Sequence, residues 1–298
     1  MEKLKKGHRV NHTSRPNWGL GQLLEDENAN EIQVFFPNKG RITLAIAARD
    51  KLQLVVGAGL IDPPPEPLSK DPGGTLTPMV TIDMAKERFL KLFPGGFYGK
   101  RLLEQESNYK DELARVAQQL LGKDVLLPLM DAKNYQQVFE HANALIKYRS
   151  KITSNNLPSV FEKLAFRDGL KKLDNPQIFA HNFYEYLHGD GDLEPRFSRF
   201  TQVLEQMEAD KWPIITTFRF FLFPSTDVYI KPLNLKRAAA ASRVEINYRP
   251  QLNWLTYHSV TKFYQYLFDD LANSTAELKP RDMIDVQSFI WCIDPNSY

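Results

Sequence analysis

Two hydrophobic periods divide the chain. Over roughly the first fifty residues apolar positions come in short alternating runs, and beyond Thr81 they recur every three or four. Gly7-His8-Arg9-Val10 opens a first strand and Trp18 to Leu24 a second. The acidic, Asn-rich stretch from Glu25 to Asn30 is a hairpin turn. Ile32, Val34 and Phe36 then alternate with Gln33 and Phe35 in a third strand. Asn38-Lys39-Gly40 turns the chain, and glycine permits the positive φ that such turns use. Arg41 to Ile46 forms a fourth strand and Leu52 to Val55 closes the set. Several short strands in so few residues predict a small barrel, because closure removes exposed edges.

The second period predicts helices. Ile82, Ala85, Phe89, Leu92 and Phe93 share one face, and Pro94-Gly95-Gly96 stops that helix. Further stripes follow at Leu113 to Leu121, Tyr135 to Ile146, Val160 to Ala165, Phe179 to Leu187 and Phe197 to Met207. Each is read as core. Trp212 to Phe223 is apolar nearly all round, so it is a central buried helix or, given its β-branched Ile214, Ile215, Thr216 and Thr217, a buried strand. Asn253 to Leu271 is a long amphipathic helix, and the last helix starts near Asp282 and runs through Trp291. Between the two patterns, residues 57–78 hold Pro63-Pro64-Pro65, Pro67, Pro72-Gly73-Gly74 and Pro78, a composition that excludes helix and central strand. The expected layout is α+β and multidomain: an SH3/Tudor-like β-barrel over 1–56, a linker over 57–78 and a mostly helical domain over 79–298.

Composition adds limits. The 298 residues are 43% hydrophobic and 25% charged, a globular balance. Net charge is +2, so an anion-binding face must come from local clustering. A single cysteine, Cys292, excludes an internal disulfide and a thiolate zinc cluster, and fits a cytoplasmic protein. No apolar run follows the basic N-terminus, so no signal peptide is expected, and the Trp212 to Phe223 stretch is too short to span a bilayer. No membrane partner is expected.

The run Gly7-His8-Arg9-Val10-Asn11-His12, with Arg15 to Gly21, Val34-Phe35-Phe36 and Gly40-Arg41-Ile42-Thr43-Leu44, resembles a bacterial SH3/Tudor-like domain. Similar modules occur at the C-termini of UvrD/PcrA-type helicases and, more distantly, in CarD-like polymerase-binding proteins. The resemblance implies a module that binds nucleic acid or RNA polymerase. Phe93 to Phe97, Tyr109-Lys110, Trp212 to Phe218, Lys231-Pro232, Arg249-Pro250, Asn253-Trp254 and Pro280 to Trp291 resemble an uncharacterised bacterial family that carries the same barrel. That likeness implies a domain layout and no activity.

The strongest charge signal is Tyr229 to Trp254, where Lys231, Lys236, Arg237, Arg243 and Arg249 face one acidic residue, Glu245. Asn247, Tyr248 and Trp254 are interleaved, a mixture that suits a polyanion whose bases stack or are hydrogen-bonded. Arg219, inside the apolar stretch, joins this set, and Arg9, His12 and Arg15 cluster near one strand end of the barrel. The plain alternative is a solvated face with a few core aromatics. Asp282 and Asp285 flank the last helix start and read as a cap, or as a pocket carboxylate that stabilises positive charge or activates water. No metal, nucleotide or nucleophile-elbow motif is present, so no cofactor is expected.

These features point to a DNA-binding protein acting on bases: a metal-free glycosylase that excises a flipped base, with phage defence as a setting. The alternative is an adaptor that holds RNA polymerase or a helicase through the barrel and DNA through the helical domain. A nuclease would need a metal-binding carboxylate cluster that the sequence does not assemble.

Overall fold

The computed structural model describes residues 3–36, 39–55, 81–148, 157–173, 175–242 and 244–293. The proline-rich stretch 57–78 and Arg243 lie outside the described residues. The chain divides into two compact units. The first takes Met1–Thr81 and Ala238–Tyr248, the second Ile82–Arg237 and Arg249–Tyr298.

In the first unit, five strands form a curled antiparallel sheet: β1 (Arg9–His12), β2 (Gly21–Leu23), β3 (Glu31–Phe36), β4 (Gly40–Ala45) and β5 (Leu52–Leu54). The order is β4-β3-β2-β1-β5, a half-barrel meander whose last strand returns beside the first. The alternation read in the sequence fixes which face is buried. Val10, Leu23, Ile32, Val34, Phe36 and Leu52 make one cluster with Leu4. Gly21 is required there, since a Cβ would come within 2.6 Å of the Phe36 ring. The second strand is shorter than the predicted Trp18 to Leu24. Trp18 instead ends a 3₁₀ turn, Pro16–Trp18, because Pro16 has no donor for the ladder and Gly19 turns at φ 85°. From there Trp18 packs its ring 4.8 Å from His12 and 5.3 Å from Phe36, which is the core role.

The second unit is helical. Its helices are α1 (Ile82–Leu92), α2 (Lys100–Leu102), α3 (Asn108–Leu121), α4 (Lys123–Asp131), α5 (Tyr135–Lys147) and α6 (Val160–Gly169). They continue with α7 (Pro176–His188), α8 (Leu193–Gln206), α9 (Trp212–Leu222), α10 (Pro232–Ser242), α11 (Trp254–Ala272) and α12 (Met283–Ile293). The division between units falls inside α10, after Arg237. A π-helical turn, Leu103–Ser107, joins α2 to α3. Gly95 and Gly96, at φ 84° and 58°, end the α1 segment as predicted.

The apolar stretch from Trp212 is a helix and not a strand. Its β-branched threonines are satisfied locally: Thr216 Oγ1 donates to Trp212 O at 2.6 Å and Thr217 Oγ1 to Pro213 O at 2.5 Å. Ten of its eleven residues are buried, so α9 runs through the core. Around it Phe139, Phe166, Phe179, Phe183, Phe200 and Phe218 form a connected aromatic cluster. The stripe predicted on α6 is a correction. Val160, Phe161 and Leu164 are 65%, 84% and 41% exposed. Phe166 takes the core position instead, stacked on Phe139, and sets the helix rotation that turns the stripe outward.

Candidate functional site

The second unit holds a cleft of about 210 Å³ lined by Leu193, Arg219, Thr226, Asp227, Trp254, Tyr257, His258 and Thr261. Four segments meet there. Leu193 begins α8, Arg219 lies on α9, Thr226 and Asp227 follow α9, and α11 supplies the rest. The start of α11 is fixed by Asn253, whose side chain accepts from Thr256 N at 2.8 Å. One helical repeat then places Trp254, Tyr257, His258 and Thr261 along the same face.

Arg219 anchors the cleft. Its Nε donates to Asp227 Oδ1 at 2.6 Å and its Nη2 to Asp227 Oδ2 at 3.1 Å, a bidentate pair. Nη1 donates to Tyr186 O and Leu187 O, the carbonyls at the end of α7. Asp227 accepts two more bonds, from Tyr257 OH at 2.7 Å and Thr226 Oγ1 at 2.9 Å. Burial works against the guanidinium charge, and the Asp227 carboxylate outweighs it, so the pKa of Arg219 rises. Burial, reinforced by Asp227, raises Tyr257 well above the ordinary phenol. Both groups therefore keep their protons at neutral pH. Trp254 sits 5.5 Å from Tyr257, 5.8 Å from His258 and 5.8 Å from Phe197, all ring to ring. The result is an aromatic wall beside an internally neutralised ion pair.

Residues 4–55 match the family described as "Protein of unknown function (DUF3553)". The match covers the curled sheet and leaves the helical unit outside it. No curated protein matches the chain, and no solved structure does.

Of the residues singled out in the sequence, Arg219 and Trp254 line the cleft. The others do not. Lys231 is half-buried with Nζ 4.7 Å from the Trp291 ring centroid, and burial lowers its pKa. Asn247 is buried at φ 48°, Tyr248 is half-buried, and both group with the first unit. Arg249 accepts from Trp212 Nε1 through its carbonyl, and Arg237 is half-buried on α10. The basic segment is thus shared between the two units. In the sheet, Arg9 and His12 are buried, with Arg9 Nη1 donating to Gln22 Oε1 at 3.3 Å. Arg15 is exposed and its guanidinium lies 6.0 Å from the Trp18 ring.

Asp282 and Asp285 serve the α12 N-terminus. Asp282 Oδ1 accepts from Ile284 N at 2.9 Å and Asp285 N at 3.3 Å, the capping arrangement. Asp285 is fully buried and accepts from Arg281 N, Nε and Nη2 at 2.7–2.9 Å. Neither lines the cleft. Burial, with the Asp285 charge adding to it, raises Asp282 to about 6.

Asp227, Tyr257, Thr226 and Thr261 escaped the sequence reading. The available signal was Arg219 itself, since a charge inside an apolar helix requires a partner, and Asp227 is the acidic residue that follows. A second polar cluster also lay unread. The buried Lys110 Nζ donates to Glu106 Oε2 at 2.7 Å and Ser288 Oγ at 2.8 Å. Burial opposes that charge, but Glu106 prevails and lifts Lys110 to about 12, so it is an ammonium and not a base. Among the described residues no group of three His, Cys, Asp or Glu side chains is placed to hold a metal. No described helix is long and apolar enough to cross a membrane.

Proposed function

We propose that this protein binds nucleic acid and receives one unpaired base in the cleft beside Trp254. The observation that carries the reading is the composition of that cleft: Trp254, Tyr257 and His258 beside an Arg219–Asp227 pair. Aromatic faces stack on any base, and neighbouring hydrogen-bonding groups orient its edge. Anisotropy of labelled single-stranded DNA and RNA oligonucleotides against the full chain tests it. Trp254→Ala should weaken binding about 5- to 150-fold, the range of one lost stacking contact. Absence of binding to every oligonucleotide ends the reading.

Base excision is the enzymatic form of this proposal, and phage defence a setting for it. Asp282 and Asp285 are committed to α12, so the carboxylate available to the cleft is Asp227. With four protein donors on its oxygens, Asp227 favours holding over chemistry. Alkali-sensitive strand breaks after incubation with normal or modified DNA would support excision, and their absence on every substrate leaves a binding protein.

The confinement of the family match to residues 4–55 favours a second reading, an adaptor. There the sheet, with its own apolar core, holds RNA polymerase or a helicase. Pull-down with the full chain tests this, and failure to retain either partner removes it.

A further inference from the structure

The polar side chains of the cleft have most of their hydrogens assigned by necessity. Thr226 Oγ1 lies 2.9 Å from a carboxylate and Thr261 Oγ1 lies 3.0 Å from the Tyr257 carbonyl. A carboxylate and a carbonyl only accept, so both hydroxyl hydrogens are spent inward and both oxygens remain as acceptors. Arg219 has five N–H hydrogens, and four are used on Asp227, Tyr186 O and Leu187 O. The fifth, on Nη2, has no acceptor among the described residues. Asp227 has filled its two oxygens with four donors. These four side chains therefore offer one donor and two acceptors. The Arg219–Asp227 pair carries no net charge, so the cleft is poorly suited to a phosphate and well suited to a neutral ring.

We infer that the cleft selects a guanine-type base: an uncharged planar ring presenting one carbonyl acceptor and two adjacent N–H donors, stacked on Trp254. Arg219 Nη2 donates to the ring carbonyl, and the Thr226 and Thr261 oxygens accept from the ring N–H and the exocyclic amino group. Thymine offers the opposite count, two acceptors and one donor. The inference rests on the base-binding reading above and adds the identity of the base. A site that hydrogen-bonds its ligand discriminates strongly against an analogue lacking the groups, because its own polar atoms are left unpaired.

The test uses the full chain and four single-stranded thymidine ten-mers: unmodified, or with a central guanine, hypoxanthine or abasic site. Guanine should bind at least about ten-fold tighter than thymine or the abasic site. Hypoxanthine, which lacks the exocyclic amino group, should fall between. Thr261→Val should bring guanine down to the hypoxanthine level. The hypoxanthine arm changes the ligand alone, so it reads the same contact without any dependence on the variant's folding. Equal binding of all four ten-mers, or a preference for thymine, overturns this inference and leaves nucleic-acid binding standing. A preference of guanine over hypoxanthine that survives Thr261→Val places the readout of the amino group elsewhere and also overturns it. No binding to any of the four removes both this inference and the reading beneath it.

Discussion

Arg219 gives up water on entering α9 and recovers four hydrogen bonds, two of them to a carboxylate. Arg281 with Asp285, and Lys110 with Glu106 and Ser288, repeat the pattern of a buried charge closed off by a partner. Asp282 is the exception. Its oxygen accepts two α12 N–H groups and the helix dipole favours its charge. Burial and the neighbouring Asp285 carboxylate outweigh both and raise it to about 6. The ordinary carboxyl titrates near 3.8, so the folded state holds a proton that the unfolded state has lost between those values. The contribution of Asp282 to stability is therefore undiminished below about pH 4, falls as pH rises through 6, and stays lower above it. Asp282→Asn keeps a good N-cap without the charge. It should stabilise the protein by about 1–2 kcal/mol at pH 8, after allowance for partial exposure, and the gain should vanish near pH 4. Urea denaturation at both pH values decides this, and a gain that does not change with pH would refute the shift. The capping role of Asp282 was legible in the sequence. Its unfavourable charge was not, because it depends on how deeply α12 packs.

At the scale of elements, period and punctuation carried the reading where one face of an element does all the burying. α7 and α8 bury every residue their stripes predict, and α1 and α5 bury theirs except Ile82, Leu92 and Tyr135, which are half-buried. α6 shows the limit. Its stripe and Phe166 compete for one core slot, and Phe166 wins because Phe139, Phe179 and Phe218 surround it. A periodicity count sums apolar positions and does not separate Phe161 from Phe166, whereas packing weighs ring contact. The π-helical turn Leu103–Ser107 was equally unreadable, since no residue type marks an i→i+5 bond. Two substitutions on α6 should thus differ sharply. Phe161→Ser, at an 84% exposed position, should leave stability within about 0.5 kcal/mol of the parent. Phe166→Ala should cost about 3–5 kcal/mol through the cavity it opens. Paired thermal or urea melts test this, and a cost for Phe161→Ser near that of Phe166→Ala would show that the stripe is covered in solution.

For the whole molecule, charge balance decides how binding should respond to salt. The chain carries 38 Lys and Arg against 36 Asp and Glu, and the basic segment read as one patch is shared between two units. The cleft itself holds a neutralised pair. Affinity for a single strand should then come from stacking and base-edge contacts, with few phosphates neutralised. Counterion release scales with the number of phosphate contacts, with a logarithmic slope of about −0.7 per contact on single strands. Two such contacts would weaken binding by less than about ten-fold between 50 and 200 mM salt. Titrations of one oligonucleotide across that range measure the slope directly. A loss of a hundred-fold or more would mean that backbone contacts dominate, and would move the nucleic-acid surface from the Trp254 cleft to cationic groups such as Lys231, Arg237 and Arg249. A shallow slope, with affinity lost in Trp254→Ala, would tie binding to the base.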